Sequence, residues 1–383
     1  MKLRFMLMLV PLWPVLGSAQ ELQELWKADL REKYACQNFN REIEKNWVSQ
    51  QGVVFLTPEE IAVYQVNKRK YWARLGARDT SGGAGNFFLD VKILDARDGR
   101  LLKSLNFPTN AELSKVLPTH DGRFIVRTGE VLYLYAPDFQ QLASRSLPLK
   151  RMAPLEDWEI NVTHSGQEVF LVHQQMFFHE QPAANDSSGN SGKSQADIEV
   201  LDADSLRVIK KFSVSNYMAH WSVGDRFLVG THPTGPSHQD EFGKMDFDGQ
   251  WTSLNSAWKI PRNTCSYTMD ALDRQLIAVY GCNRLLVLSP SGERIFSTKA
   301  GANEFFASVA NADSYLAAES DRPEVRFGNS TAKPIRIEVY DLGHKATLKW
   351  ISVAGGNVYY DVSKNGDLAV VDGNRLTLYA KER

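Results

Sequence analysis

Four histidines head the list of residues that could do chemistry: His173, His179, His232 and His238, with Glu180, Asp240 and Glu241 close by in the chain. Two imidazoles and a carboxylate suit zinc or another divalent cation. No H-E-x-x-H or comparably tight spacing fixes that geometry, so they read as ordinary loop histidines and no metal site is expected. A second cluster is sharper. The stretch Asn67-Lys68-Arg69-Lys70-Tyr71-Trp72-Ala73-Arg74-Leu75-Gly76-Ala77-Arg78 sets two aromatics among five cations. Guanidinium groups grip carboxylates or phosphates with two parallel hydrogen bonds, and Tyr and Trp supply rigid amphipathic contact area. Arg69, Tyr71, Trp72, Arg74 and Arg78 are therefore the expected ligand or partner contacts.

Other motifs are absent or incomplete. There is no G-x-S-x-G elbow and no Ser/His/Asp set with a signature, so no catalytic residue is assigned. Ser187 to Ser194 misses a phosphate-binding loop at its first glycine, and no helix follows it. Asp246-x-Asp248-Gly249 lacks the remaining ligands of a calcium loop and reads as a β-turn. The three cysteines, Cys36, Cys265 and Cys282, form no C-x-x-C. Cys265 and Cys282 are predicted on paired strands, symmetric about a turn at 272–275, which makes them the expected disulfide. Cys36 is the rival partner.

These residues need a scaffold, and the composition bounds it. The chain has 383 residues, 44 Lys plus Arg against 45 Asp plus Glu, and 43% hydrophobic residues. That composition is globular and near neutral, which argues against a disordered chain and against a nucleic-acid partner. The first 19 residues read as a secretory signal. Lys2 and Arg4 precede an apolar run from Phe5 to Leu16, and Gly17-Ser18-Ala19 is a small-residue cleavage site. The run is too short to span a bilayer. The mature chain is thus expected to begin near Gln20, to lack a transmembrane segment, and to be secreted or periplasmic.

Beyond the first 50 residues the chain repeats itself. Short runs of β-branched and aromatic residues, bounded by Gly, Asp, Asn or Ser, recur in groups of four. Leu113 to Leu149 is the clearest group: 114–118, 124–127, 131–135 and 142–147. Six other segments fit the same template, and the last of them ends at Tyr379 with only three runs. Seven such units match the roughly 40–50 residues per blade of a β-propeller. The predicted fold is all-β: a seven-bladed β-propeller of four-stranded antiparallel blades over 51–383. Residues 20–50 supply the missing strand, from Leu25–Leu30 or from Lys45–Ser49. One short helix is predicted around Ala35 to Glu44.

The turns Thr119-His120-Asp121-Gly122-Arg123, Thr163-His164-Ser165-Gly166-Gln167 and Ser363-Lys364-Asn365-Gly366-Asp367 resemble the S-x-D-G-x turn of YVTN-type and WD40-like propellers. Leu94-Asp95-Ala96-Arg97-Asp98-Gly99-Arg100-Leu101 and Leu201-Asp202-Ala203-Asp204-Ser205-Leu206 resemble the corresponding turn of that group and of quinoprotein-type propellers. The resemblance implies the fold. Quinoprotein enzymes place a docking Trp after this turn, whereas Leu101-Leu102-Lys103-Ser104-Leu105 has none, and no cofactor is expected.

Four units carry a long insertion between their second and third runs: Val66–Asn86, Gln174–Gln195, His232–Phe242 and Ser320–Pro334. Insertions confined to one slot mark one face of a repeat protein as its binding face. The expected function is a secreted, monomeric scaffold that presents these loops to a protein, peptide or glycan, more a binding module than an enzyme. The alternative is a lactonase-like hydrolase or lyase with a metal-assisted site at the mouth of the central channel.

Overall fold

The computed structural model describes residues 22–30, 47–68, 87–109, 114–129, 131–147, 156–175, 196–214, 220–233, 240–254, 267–301, 304–321, 335–353 and 358–380. The chain enters with β1 (Gln23–Asp29) and then builds sheets of four. Blade 1 is β2 (Trp47–Thr57), β3 (Glu60–Lys68), β4 (Phe87–Asp95) and β5 (Leu101–Thr109). Blade 2 is β6 (Ser114–Pro118), β7 (Phe124–Thr128), β8 (Val131–Tyr135) and β9 (Gln141–Ser146). Blade 3 is β10 (Glu156–Val162), β11 (Glu168–Gln175), β12 (Ala196–Asp202) and β13 (Val208–Val214). Blade 4 is β14 (His220–Val223), β15 (Phe227–Pro233), β16 (Asp240–Asp246) and β17 (Trp251–Ser253). Blade 5 is β18 (Tyr267–Ala271), β19 (Ile277–Gly281), β20 (Arg284–Leu288) and β21 (Arg294–Lys299). Blade 6 is β22 (Phe305–Ala312), β23 (Tyr315–Asp321), β24 (Ile335–Asp341) and β25 (Ala346–Val353). Blade 7 is β26 (Val358–Val362), β27 (Leu368–Asp372) and β28 (Arg375–Ala380), completed by β1 in the order β1-β28-β27-β26.

The middle strands show why the sequence runs are continuously apolar rather than alternating. In β3, Ile61 and Val63 face blade 7 while Ala62, Tyr64 and Val66 face blade 2. Both faces of the sheet are covered, so the run Ile61–Tyr64 is apolar on both sides instead of alternating. Fourth strands have one edge in water and read polar: β9 is Gln-Leu-Ala-Ser-Arg-Ser, mostly exposed.

The core is seven separate clusters, each shared by two consecutive blades. Phe124 and Val126 of blade 2 meet Val91 and Ile93 of blade 1. The cycle ends where Ala369, Val371 and Leu378 of blade 7 meet Val53, Phe55 and Ile61 of blade 1. A row of blades with its ends apart would lack that last cluster, so the sheets form a closed ring.

β1 is the closing strand. It runs antiparallel to β28 from Gln23 opposite Ala380 to Asp29 opposite Arg375, with one bulge between Glu24 and Trp26. It also reaches blade 1. Trp26 Nε1 donates to the Ala96 carbonyl at 2.8 Å, and Lys92 Nζ donates to the Leu30 carbonyl at 3.1 Å. The Trp26 ring lies over Gly99, where a Cβ would come within 2.8 Å of it. Gly99 has φ +72°, so glycine serves both the turn and the close approach. The aromatic docked on this turn therefore comes from the closing strand, not from the blade's own fourth strand. The second closing candidate, 45–49, is corrected: Trp47 to Ser49 belong to β2, so blade 1 begins at Trp47, ahead of the expected boundary at 51. The predicted helix at 35–44 lies outside the described residues.

The recurrent Asp at the end of third strands is a turn cap. The Asp95 carboxylate accepts from the Arg97 N–H and Nε, both at 2.9 Å, and these bonds hold it well below the usual carboxylate range. Asp246 accepts from the N–H of Asp248 and of Gln250, which makes Asp246-x-Asp248-Gly249 a β-turn. A short side-chain acceptor that satisfies the backbone two residues on is what makes Asp favourable there.

Candidate binding face and axial channel

The connections between second and third strands all leave from one face, here called upper, because strands alternate in direction within each blade. Three of them are short turns, at 129–130, 282–283 and 373–374. The other four span 69–86, 176–195, 234–239 and 322–334. Their strands are paired to the base of each insertion: Lys68 faces Phe87, Gln174 faces Ala196, Pro233 faces Asp240 and Ser320 faces Arg336. Paired stems hold the ends of each insertion together on the same rim.

Arg69, Tyr71, Trp72, Arg74 and Arg78 fall in the first insertion, outside the described residues, as do His179 and His238. His173 is buried in β11, opposite Trp158 and Asp197. His232 lies in β15 opposite Glu241. Among the described residues no group of three or more His, Cys, Asp or Glu side chains is arranged to hold a metal ion. No helix among them is long and apolar enough to cross a membrane.

First strands pack against one another around the axis: β2 against β6 and β26, β14 against β18, and β22 against β26. They carry polar groups that the repeat pattern did not single out. Lys115 of β6 is exposed. Desolvation lowers its pKa, while Glu159 from blade 3 and Asp270 from blade 5 oppose that shift. Tyr280 Oη donates to Asp270 at 2.6 Å. Tyr360 Oη lies 2.8 Å from Ser308 Oγ and accepts from the Glu319 N–H at 3.1 Å. Ser308 in turn donates to Glu319 at 2.8 Å. Asp361 accepts from the Phe55 N–H at 2.8 Å. Burial pushes the Asp361 carboxyl up to about 7; the Phe55 and Val362 amides resist the rise and the charge of Asp273 adds to it.

Most of these bonds cross blade boundaries. Asp361 to Phe55 joins blade 7 to blade 1, Tyr360 to Ser308 joins blade 7 to blade 6, and Ala271 N–H to Ser222 Oγ at 2.9 Å joins blade 5 to blade 4. The inner polar residues act first as ties between neighbouring blades.

At the lower face the two T-H-x-G turns tie blades as well. His120 Nε2 sits 3.0 Å from Asp204 Oδ1, and its Nδ1 is 2.9 Å from the Gly166 carbonyl oxygen. His164 Nδ1 is 2.6 Å from Asp273 Oδ1. A nucleophile's base needs a free ring nitrogen. His164 has none, because Nε2 contacts the Ala271 carbonyl oxygen at 3.0 Å. The only advance signal for this pair was the repeat of histidine in two turns.

Cys282 is disulfide-bonded. It occupies the β19–β20 turn with φ +48°, one residue beyond the end of β19, and not a strand as expected. Tyr267 pairs with Gly281 and Ala271 with Ile277. That register is offset by one residue from the one expected. The shift arises because Arg274 and Gln275 both adopt positive φ, making the turn 272–276 one residue longer than assumed. Cys265 and Cys36 lie outside the described residues. Non-reducing peptide mapping is expected to find Cys265 joined to Cys282, with Cys36 free. A cross-link containing Cys36 would reject that pairing.

No family model matches the chain, and no curated protein matches it. Solved structures do. The WD40 domain of Neurospora crassa Pan2 superposes with a TM-score of 0.55 at 12% identity, covering 97% of this chain and 99% of that one. An uncomplexed acylaminoacyl peptidase from Pyrococcus horikoshii superposes with a TM-score of 0.52 at 11% identity, covering 88% of this chain. This chain spans about half of that peptidase, 51% of its length. At such identities the likeness concerns the fold alone, and with the seven closed sheets it defines the class: a seven-bladed β-propeller.

Proposed function

We propose that this protein is an exported β-propeller that binds a protein, peptide or glycan through its upper face. The observation that carries the reading is that four of the seven connections between second and third strands are extended, on paired stems, around one rim. Long loops on a rigid ring are where propellers and other repeat folds place recognition. The signal-like first 19 residues supply the address. The basic and aromatic residues of 67–78 supply contact groups suited to acidic and aromatic features of a ligand.

The test is binding to peptide and glycan panels by the native protein and by the triple variant Arg69→Ala, Trp72→Ala, Arg74→Ala. Interface hot spots of these types cost about 2 kcal/mol each, so losses of at least tenfold are expected, with the melting temperature almost unchanged. Equal binding by the variant would remove this loop from the interface.

A further inference from the structure

His164 sits in the turn after β10 of blade 3, yet both its ring contacts are in blade 5. The chemistry of those contacts is restrictive. A carbonyl oxygen can only accept, and an ionised carboxylate can only accept. Nδ1 must therefore donate to Asp273 and Nε2 must donate to Ala271, which requires both nitrogens to be protonated. Asp273 is held as the anion by further donors: its other oxygen accepts from the Asp313 N–H of blade 6. The Asp273 N–H donates to Asn311 Oδ1 at 2.7 Å, and Arg274 clamps Asp313 with bonds of 2.7 and 2.9 Å. On the other side, the Ser165 N–H donates to Asp225 of blade 4 at 2.6 Å.

We propose that His164 and Asp273 form a proton-dependent clamp that straps blade 3 to blade 5 across the inner end of blade 4, and that loss of one proton opens it. A neutral imidazole carries a single N–H. After deprotonation one ring nitrogen faces an acceptor lone pair to lone pair, and the 163–166 turn must let go of Ala271 or of Asp273. The groups that face this pair are Asp225 from blade 4, Arg274 from blade 5, Asp313 from blade 6, and Asp361 and Lys364 from blade 7.

Burial alone would lower the His164 pKa. The bond and charge of Asp273, the Ala271 carbonyl and the charge of Asp225 outweigh it and raise the pKa above its ordinary value. A raised folded-state pKa means the clamp stabilises fully below the unfolded value of about 6.5 and is lost as pH climbs through the folded one. The ring is thus tightest in mildly acidic surroundings and loosens at its lower face in alkaline ones.

Nitrogen NMR of the histidine rings in the full-length protein tests this. Both His164 nitrogens are expected to be protonated at pH 6, with a midpoint above 6.5. Amide exchange at Ser165 and Asp273, corrected for intrinsic rate, should rise at least tenfold across that midpoint. The Asp273→Asn variant should lower the midpoint, and His164→Gln should abolish the exchange step. If either variant fails to fold, the native titration and exchange still decide. A midpoint at or below 6.5, or corrected exchange that stays flat across it, would overturn the clamp.

Discussion

A chain lacking residues 22–30 is expected to lose about 5 kcal/mol of stability, enough to abolish a cooperative melt near its native temperature. The reasons are local and add up. Leu22 and Leu30 are buried, and removing two such side chains costs roughly 2 kcal/mol each. β28 would become an unpaired edge along its whole length from Arg375 to Ala380. Trp26 and the Lys92–Leu30 bond would be lost from the boundary with blade 1, so the damage reaches both sides of the closure. Thermal or urea unfolding of the truncated chain reads it directly. An unchanged transition would mean that the ring does not depend on β1.

The second large effect is expected from a single methyl group. Gly166, in the lower turn of blade 3, has φ +73°, and a Cβ there would lie 2.2 Å from the His120 nitrogen and 2.6 Å from the Thr119 carbonyl carbon. Those are backbone atoms of the neighbouring blade, and they cannot swing aside as a side chain would. They are also held in place, because the His120 N–H donates to the Gly166 carbonyl at 3.3 Å and the His120 ring contacts the same oxygen. Gly166→Ala should therefore cost about 3 kcal/mol or more, combining the left-handed backbone with a seam forced open. Gly373 is the control: it also has positive φ, but nothing lies within 4 Å of its would-be Cβ, so Gly373→Ala should cost only the backbone strain of about 1 kcal/mol. Equal unfolding midpoints for the two variants would show that blades 2 and 3 are not packed as described.

The pattern of strands was legible because burial on both faces leaves little freedom. Runs such as Ile61–Tyr64 and Phe124–Val126 had to be apolar throughout, and the Asp and Gly of each turn are fixed by local backbone chemistry. Closure was legible as a need, from a last unit with three runs, but not as a place. Both Leu25–Leu30 and Lys45–Ser49 read as strands, and only pairing with β28 distinguishes the closing strand from the start of blade 1. The register of the β18–β19 hairpin differs by one residue from the expected one, because two successive positive-φ residues, Arg274 and Gln275, are not a pattern that side-chain type announces. The axial and lower-face groups were hidden for a different reason. Lys115, Glu159, Asp270, Ser308, Asp361 and the His164–Asp273 pair come from separate blades, and their approach to the axis is set by ring geometry rather than by spacing in the chain.

The central claim is that recognition belongs to the upper face, and amine labelling of the native protein with and without a bound panel ligand tests it most directly. Lys70 and Lys193 lie in upper insertions, whereas Lys345 and Lys364 are exposed in lower turns. The account predicts that ligand protects Lys70 or Lys193 from labelling and leaves Lys345 and Lys364 as reactive as before. Protection at Lys345 and Lys364 with full reactivity at Lys70 and Lys193 would contradict it.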